Sequence, residues 1–447
     1  MEGLKHLYRN IFLQPRLYIS LGVVFGCFIL SYQVAAIFPV AQALLGLLIA
    51  LLLVDIILLY WGGNRIMGNR ILPEKFSNGD ENEVNLQIAN GYSFAVNLKV
   101  LEEYPVQFQE REKVLKFSMQ PGEKKVETYT LRPVTRGEYH FGYTNVFATT
   151  FLGLISRRFQ VSQEEMVPTY PSFIQMRKYQ LLAISNRLTE VGVKKIRRLG
   201  HTTEFEQIKE YVGGDDYRTI NWKATARSGK LMVNQYMDER AQHVYCLIDK
   251  SRPLKMPFEG MSLLDYGINA SLVLSNIAIY RQDKAGIITF SEKVHSLVPA
   301  RRQATQMNRI MEVLYNEKTA YKEADYQRLY ATLKQKISHR SLLILFTNFE
   351  SLSAMRRQLP YLKQLARQHL LVAVIFENTE LRDLLKSSPH NTEEIYIKAI
   401  GENFAFTKQQ IVRELSQYGI MALLTPPEQL TVNTINKYLE IKSRGMT

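Results

Sequence analysis

Two apolar runs set back to back, Leu17 to Phe38 and Val40 to Tyr60, constrain this chain more than any other feature. Each is roughly twenty residues, the length at which one helix crosses ~30 Å of hydrocarbon. A buried hairpin in a soluble core would use the same residues, and the first run alone would also suit a cleaved signal peptide. Two runs in immediate succession favour a transmembrane hairpin, with Pro39 at the reversal between them. Lys5, Arg9 and Arg16 precede the hairpin, Arg65, Arg70 and Lys75 follow it, and the connecting turn is uncharged. The positive-inside rule then places both ends, and the large C-terminal body, in the cytoplasm behind a two-span anchor in the inner (cytoplasmic) membrane. Tyr18 and Tyr60-Trp61 read as interfacial anchors. Asp55 is the one charge inside a span, costing about 2.5–3.5 kcal/mol at the bilayer centre. Its place near the cytoplasmic end suits contact with headgroups better than a proton path.

The 447 residues allow two to four domains with sizeable cores, and the formal net charge of +14 favours anionic partners. The lipid bilayer is the expected one. No nucleic-acid partner is expected, because no recognised binding motif accompanies the charge. Cys27 and Cys246 are far apart, each in an apolar run, and read as reduced buried thiols. The chain divides into a transmembrane hairpin (1–62), a β-sandwich (63–171), a linker with a signature stretch (172–240) and an α/β domain (241–447).

In the second region the hydrophobic period is two. Val84, Leu86 and Ile88 alternate with polar residues, and Asn90-Gly91 marks a turn. Phe94, Val96, Leu98 and Val100, then Leu115, Phe117 and Met119, then Val126 to Leu131, then Tyr139, Phe141 and Tyr143 continue the pattern. Short strands at this spacing predict an antiparallel sandwich of immunoglobulin-like type. It carries no catalytic cluster and reads as an interaction or spacer module, its aromatic faces suiting core packing better than a ligand groove. Beyond Val244 short apolar strands alternate with helical stretches, which predicts a mainly parallel sheet covered on both faces. Lys194, Lys195, Arg197 and Arg198 form a basic run before the signature, either a solvated face or a contact for anionic lipid.

The densest stretch runs from Arg197 to Arg240. Gly213-Gly214-Asp215-Asp216 breaks the chain and supplies a helix N-cap at Asp215; Ile220, Lys223, Ala224 and Arg227 recur at helical spacing, and Ser228-Gly229 ends the helix. Arg218 and Trp222, four apart, then fall on one face, the guanidinium against the indole. The expectation is a capped and stacked structural unit with Trp222 buried. Gly-Gly-Asp-Asp also invites a two-metal reading, but such a site needs further carboxylates close by.

The order Glu204-Phe205, Glu210-Tyr211, Gly214-Asp215, Arg218, Ile220, Trp222, Ala226-Arg227 and Leu231-Val233 resembles the signature of the domain of unknown function 58 family, DUF58. The resemblance implies membrane segments, a β-rich region and then a von Willebrand factor A-like domain. Asp249-Lys250-Ser251 in turn resembles the metal-ion-dependent adhesion site of such domains, an Asp-x-Ser-x-Ser motif with a Thr and an Asp from two other loops. Carried over position by position, Asp249 and Ser251 match. Pro253 stands for the second Ser, Thr347-Asn348-Phe349 stands for Thr-Asp-Gly, and Thr319 is the nearest candidate for the loop Thr. The implied site is degenerate: no cofactor is expected and at most weak Mg binding, and the other reading of Asp249 is a cap for the turn that follows it. No Ser/His/Asp, Cys/His or zinc spacing and no phosphate-binding glycine loop stands out, which leads to a non-enzymatic scaffold or adaptor; the resemblance implies its partner class, a MoxR-type AAA+ ATPase in chaperone-like assembly. The signature positions Gly214, Asp215, Arg218, Ile220, Trp222 and Arg227 are its interaction candidates. The alternative is a metal-dependent hydrolase or nuclease using Asp215, Asp216 and Asp249.

Overall fold

The computed structural model describes residues 10–61, 65–109, 113–184, 192–193, 204–213, 215, 217–237, 241–303, 305–379, 381 and 391–445. Lys194, Lys195, Arg197, Arg198, Gly214 and Asp216 lie outside them. The chain forms two compact units, Met1–Thr169 and Tyr170–Thr447.

Near its start the first unit carries the helices α1 (Pro15–Ser31) and α2 (Phe38–Tyr60). With the 3-10 turn before α2, Ala35–Tyr60 is a helical stretch of 26 residues, about 39 Å at 1.5 Å per residue and long and apolar enough to cross a membrane. The shorter α1 has 17 residues. Their outward faces are apolar, with Ile19, Val23, Phe25, Leu47, Leu53 and Ile57 all exposed, the reverse of a soluble amphipathic helix. The first apolar run does not form one helix to Phe38. The chain reverses at Tyr32–Val34, and Pro39 sits in the first turn of α2, where a missing N–H costs nothing.

Asp55 also departs from expectation. It is fully buried, and its carboxylate accepts hydrogen bonds from the Thr150 hydroxyl and from the Leu154 and Ile155 N–H groups, the last two at 3.0 Å. The main-chain donors of the Thr150–Ile155 loop, rather than headgroups, satisfy its charge. One turn on, the Leu59 carbonyl accepts from Tyr92 Oη (2.9 Å) and Arg157 Nη1 (2.6 Å), a cation at a helix C-terminus.

The strands of this unit are β1 (Ile11–Leu13), β2 (Ile66–Ile71), β3 (Phe76–Ser77), β4 (Asn82–Asn90), β5 (Val96–Glu102) and β6 (Lys113–Met119). They continue as β7 (Lys124–Leu131), β8 (Gly137–Phe141), β9 (Thr144–Thr149), β10 (Ile155–Ser162) and β11 (Glu165–Tyr170). They form sheets in the orders β1-β10-β9-β5-β6, β3-β11-β8 and β2-β4-β7 around one shared core, with antiparallel pairing throughout the first and third. The alternation of β4 is realised residue by residue, with Val84, Leu86 and Ile88 buried. Val126 instead faces outward, and Tyr143 lies past the end of β8, also exposed.

The second unit opens with a helix, α3 (Phe173–Ile184), where the sequence suggests a linker. Tyr179 and Ala183, four apart, enter the core of the α/β sheet. The signature follows as an antiparallel pair, β12 (Glu204–Glu210) and β13 (Met232–Met237), bridged by the short helix α4 (Trp222–Ser228).

The main sheet is built from β14 (His243–Asp249), β17 (Lys284–Phe290), β18 (Val294–Arg301), β19 (Leu342–Thr347), β20 (Leu370–Phe376) and β21 (Met421–Thr425), the small strands β15 (Pro257–Phe258) and β16 (Met261–Ser262) forming a separate pair. Its order is β18-β17-β14-β19-β20-β21, parallel except for the edge strand β18. Along β14, Val244, Cys246 and Ile248 face one core and Tyr245 and Leu247 the other. The first core is covered by α5 (Leu263–Tyr280), α6 (Gln306–Tyr315) and α10 (Leu430–Ser443); the second by α7 (Tyr326–Lys336), α8 (Leu352–Gln368) and α9 (Thr392–Gln417). Burial on both faces explains why these strands read as continuous apolar runs. Cys246 sits between the layers, its thiol pushed up to about 12 by burial.

Candidate functional site

From β14 the chain crosses to one face of the sheet and from β19 to the other, so the strand order reverses between these neighbours. The crevice outside their carboxyl ends is where doubly wound sheets bind ligands. Asp249 and Thr347 are the last residues of the two strands. They touch: Thr347 Oγ1 donates to Asp249 Oδ2 at 2.7 Å, and Tyr326 Oη, from the start of α7, reaches the same oxygen at 3.4 Å. The Ser251 N–H donates to Asp249 Oδ1 at 2.9 Å. Burial pushes the Asp249 carboxyl above its usual range, against the pull of these donors.

A small cavity of about 100 Å³ opens here, lined by Asp249, Ser251, Pro253, Tyr326, Thr347 and Asn348 among others. The structure therefore brings together the residues matched to the adhesion site, but Thr319 is not among the lining ones. Its segment instead passes beside the β14 end, where the Ala320 N–H donates to the Lys250 carbonyl at 2.7 Å. Lys250 points away from the cavity to Glu317, with Nζ to Oε2 at 2.5 Å, and Glu317 also accepts from Thr289 and Ser296 at 2.7 Å each. Burial alone would raise the Glu317 carboxyl; the Lys250 ammonium and the two hydroxyls outweigh it and hold the group below its ordinary value.

The donor set matches a divalent cation poorly. Both Asp249 oxygens already accept protein hydrogen bonds, and Pro253 offers no side-chain oxygen. The Asn348 Oδ1 accepts from the ammonium of Lys408, which also donates to the Phe349 carbonyl at 2.6 Å. A resident cation thus occupies the oxygen that the resemblance would assign to a metal. Among the described residues, no group of three or more His, Cys, Asp or Glu side chains is placed to hold one.

The signature is arranged differently from its reading in the sequence. The helix cap is Asn221, whose Oδ1 accepts from the Ala224 N–H at 3.0 Å, while its Nδ2 donates to Asn234 Oδ1 at 2.8 Å. Ile220 bridges to Val233 on β13, which delays the helix until Trp222. Asp215 closes the preceding turn, accepting from Lys209 Nζ at 2.9 Å and the Val212 N–H at 3.1 Å. Those hydrogen bonds hold its carboxyl below the usual range. Gly229 ends the helix in the left-handed conformation at φ 72°, as its position suggests. Arg218 lies in the 3-10 turn before the helix, its guanidinium 5.7 Å from the Tyr217 ring centroid. Trp222 is 71% exposed and anchors no core, and Arg227 is exposed in the last turn.

Comparison with known proteins gives these observations a context. A curated relative, the uncharacterized protein YeaD of Bacillus subtilis (strain 168), is 29% identical over 125 residues, 28% of this chain and 30% of that protein. The chain therefore spans under a third of the relative's length. Among solved structures, the conserved hypothetical protein BatB from Bacteroides thetaiotaomicron matches 46% of this chain and 99% of its own, at 9% identity and a TM-score of 0.31. A CARDB domain from Pyrococcus furiosus matches 24% of this chain and 88% of its own, at 14% identity and a TM-score of 0.17. Residues 207–385, which hold most of the signature and the Asp249 crevice, match the family described as protein of unknown function DUF58.

Proposed function

We propose that this chain is a membrane-anchored, non-enzymatic scaffold whose α/β unit is a von Willebrand A-like domain that engages a MoxR-type AAA+ ATPase in chaperone-like assembly. One observation carries the reading. The first half of α9 presents Ile395, Tyr396, Ile397, Ile400, Phe404 and Phe406, all between 44% and 68% exposed. Single exposed apolar side chains are ordinary, but six within little more than three turns form a patch of the kind a protein partner covers. Glu393, Glu394, Glu402 and Lys398 flank it as a polar rim.

The doubly wound sheet, with Asp249 and Ser251 at its carboxyl edge, is consistent with the von Willebrand A part of the reading. The saturation of Asp249 by its own neighbours favours recognition over chemistry at that carboxylate. The two-span anchor and cytoplasmic body rest on the flanking Lys and Arg, and a C-terminal alkaline phosphatase fusion should be inactive. The partner is tested with the full chain in lipid nanodiscs and a purified MoxR-type ATPase from the same organism. Tyr396→Asp and Ile400→Asp should each weaken binding at least about tenfold without lowering the unfolding temperature. Unchanged affinity in both variants, or no measurable binding by the parent, would sink the reading.

A further inference from the structure

We propose that the cavity enclosed by the carboxyl ends of β19, β20 and β21 and by α9 is a binding site for a small apolar monocarboxylate. The cavity has a volume of about 580 Å³. That is the size of pockets that hold small organic ligands, and it lies at the edge of the sheet where such pockets form. Its wall is largely apolar, from Met256, Phe258, Leu263, Phe376, Phe404 and Leu424. Such a wall binds hydrocarbon; the few polar groups set what head the ligand carries.

Lys408 is the decisive one. Its ammonium donates to the Asn348 side-chain oxygen and the Phe349 carbonyl, both neutral, and among the described residues no carboxylate forms an ion pair with it. A buried ammonium is costly, burial lowering its titration to about 8, and the carboxylate that acts on it, Glu350, does so without a contact ion pair. A ligand carboxylate supplies the direct, charge-assisted hydrogen bond that the two neutral acceptors do not. Glu350 and Glu377 also line the cavity. Glu350 is partly neutralised by Arg252 at 3.8 Å, both side chains being mostly exposed. Lys408 is the one cation among the described lining residues, so the wall can pair a single negative charge, and Glu350 and Glu377 oppose any further one, which selects a monocarboxylate over a phosphate ester or dicarboxylate.

The inference does not depend on the ATPase partner. Tyr396 and Ile400 lie outside the cavity wall, so Tyr396→Asp and Ile400→Asp should leave the ligand site intact and the two readings fail separately. The experiment is calorimetric titration of the full chain in lipid nanodiscs with octanoate, with empty discs as reference. Octyl phosphate and octylammonium serve as probes with the same chain and a different head. Octanoate should give saturable binding at one site per chain, octyl phosphate at least tenfold weaker binding, and octylammonium none above empty discs. Lys408→Met, which keeps the length and loses the charge, should weaken octanoate at least about tenfold. Met256→Trp fills the cavity from a wall residue that is already 43% exposed, and should abolish binding without touching Lys408. If Lys408→Met fails to fold, Met256→Trp decides. Octanoate heat no greater than in empty discs, octylammonium binding equal to octanoate, or undiminished binding in Met256→Trp would each overturn the proposal.

Discussion

Restoring the adhesion-site residues by Pro253→Ser with Asn348→Asp should not create a useful metal site while Lys408 is present. The oxygen at position 348 is in contact with the Lys408 ammonium. With charge-assisted contacts near 2.8 Å and Mg–oxygen bonds near 2.1 Å, a metal on a new carboxylate there lies within about 5 Å of the ammonium. At an effective dielectric of about 20 the repulsion is roughly 7 kcal/mol. The cheaper route is to expel the lysine proton, which for an amine titrating near 8 costs about 1.4 kcal/mol at pH 7. The new carboxylate, an opposite charge in contact, raises that cost to about 4 kcal/mol, or roughly a thousandfold in affinity. Calorimetry of the full chain with magnesium and manganese should therefore show at best millimolar binding in the double variant. Binding should strengthen as pH rises through the lysine titration, and adding Lys408→Met should tighten it by two to three orders of magnitude. Micromolar, pH-independent Mg binding in the double variant with Lys408 intact would refute the reasoning.

Asn221→Ala removes a helix cap and a side-chain hydrogen bond, together about 1–3 kcal/mol, from a helix too short to stand alone. Trp222→Ala removes a mostly exposed side chain and should cost less, not the 3–5 kcal/mol of a buried Trp. Hydrogen exchange of 217–237 should rank them in that order, and the reverse ranking would restore Trp222 as a structural hub. Asp55→Ala strands the buried Leu154 and Ile155 N–H groups, so denaturant unfolding of the purified chain should show a loss of about 2–6 kcal/mol; an unchanged midpoint would mean those donors do not depend on Asp55. Glu317 has its folded titration lowered, so its contribution is complete above the ordinary 4.5 and is lost as pH falls through the folded value. Glu317→Gln should flatten that acid limb of the stability profile, and an unchanged limb would argue against the Lys250–Glu317 pair as its source.

What was legible in the sequence was periodic. The alternation of Val84, Leu86 and Ile88 is a local property of one strand, and the unbroken run of β14 reports burial on both faces. Asp249, Ser251 and Thr347 also met as the motif suggests, because strand ends in a parallel sheet are brought together by pairing alone. The misses are long-range. Lys408 is sixty residues from Asn348, and nothing local marks it as the partner of that amide. Asp55 is matched to a loop about a hundred residues away. Asp215 and Asn221 are both good caps by composition; the bridge from Ile220 to Val233 decides between them. Helix α3 was hidden because the exposed apolar residues Ile174, Leu181 and Ile184 blur the period of those that meet the core, Phe173, Met176, Tyr179 and Ala183.

The grip of Asp55 and Leu59 on the sandwich has a mechanical consequence. A helix end joined to a loop by one flexible residue behaves as a tether; one whose carboxylate and carbonyl are both held by that loop and strand behaves as a lever. The last turns of Ala35–Tyr60 are docked in the sandwich core, which leaves about 30 Å of helix ahead of Asp55, the thickness of a hydrocarbon layer, so that a thinner bilayer is met by tilting. Because Thr150, Leu154, Ile155 and Arg157 move with α2, tilt is passed on as rotation of the sheets that contain them. Spin-label distances between α2 and β10 should stay constant across thin and thick bilayers while the orientation of both to the membrane normal changes. With the membrane anchorage proposed above, bilayer thickness should then set the attitude of the β-rich unit, and an unchanged orientation would show that the joint yields.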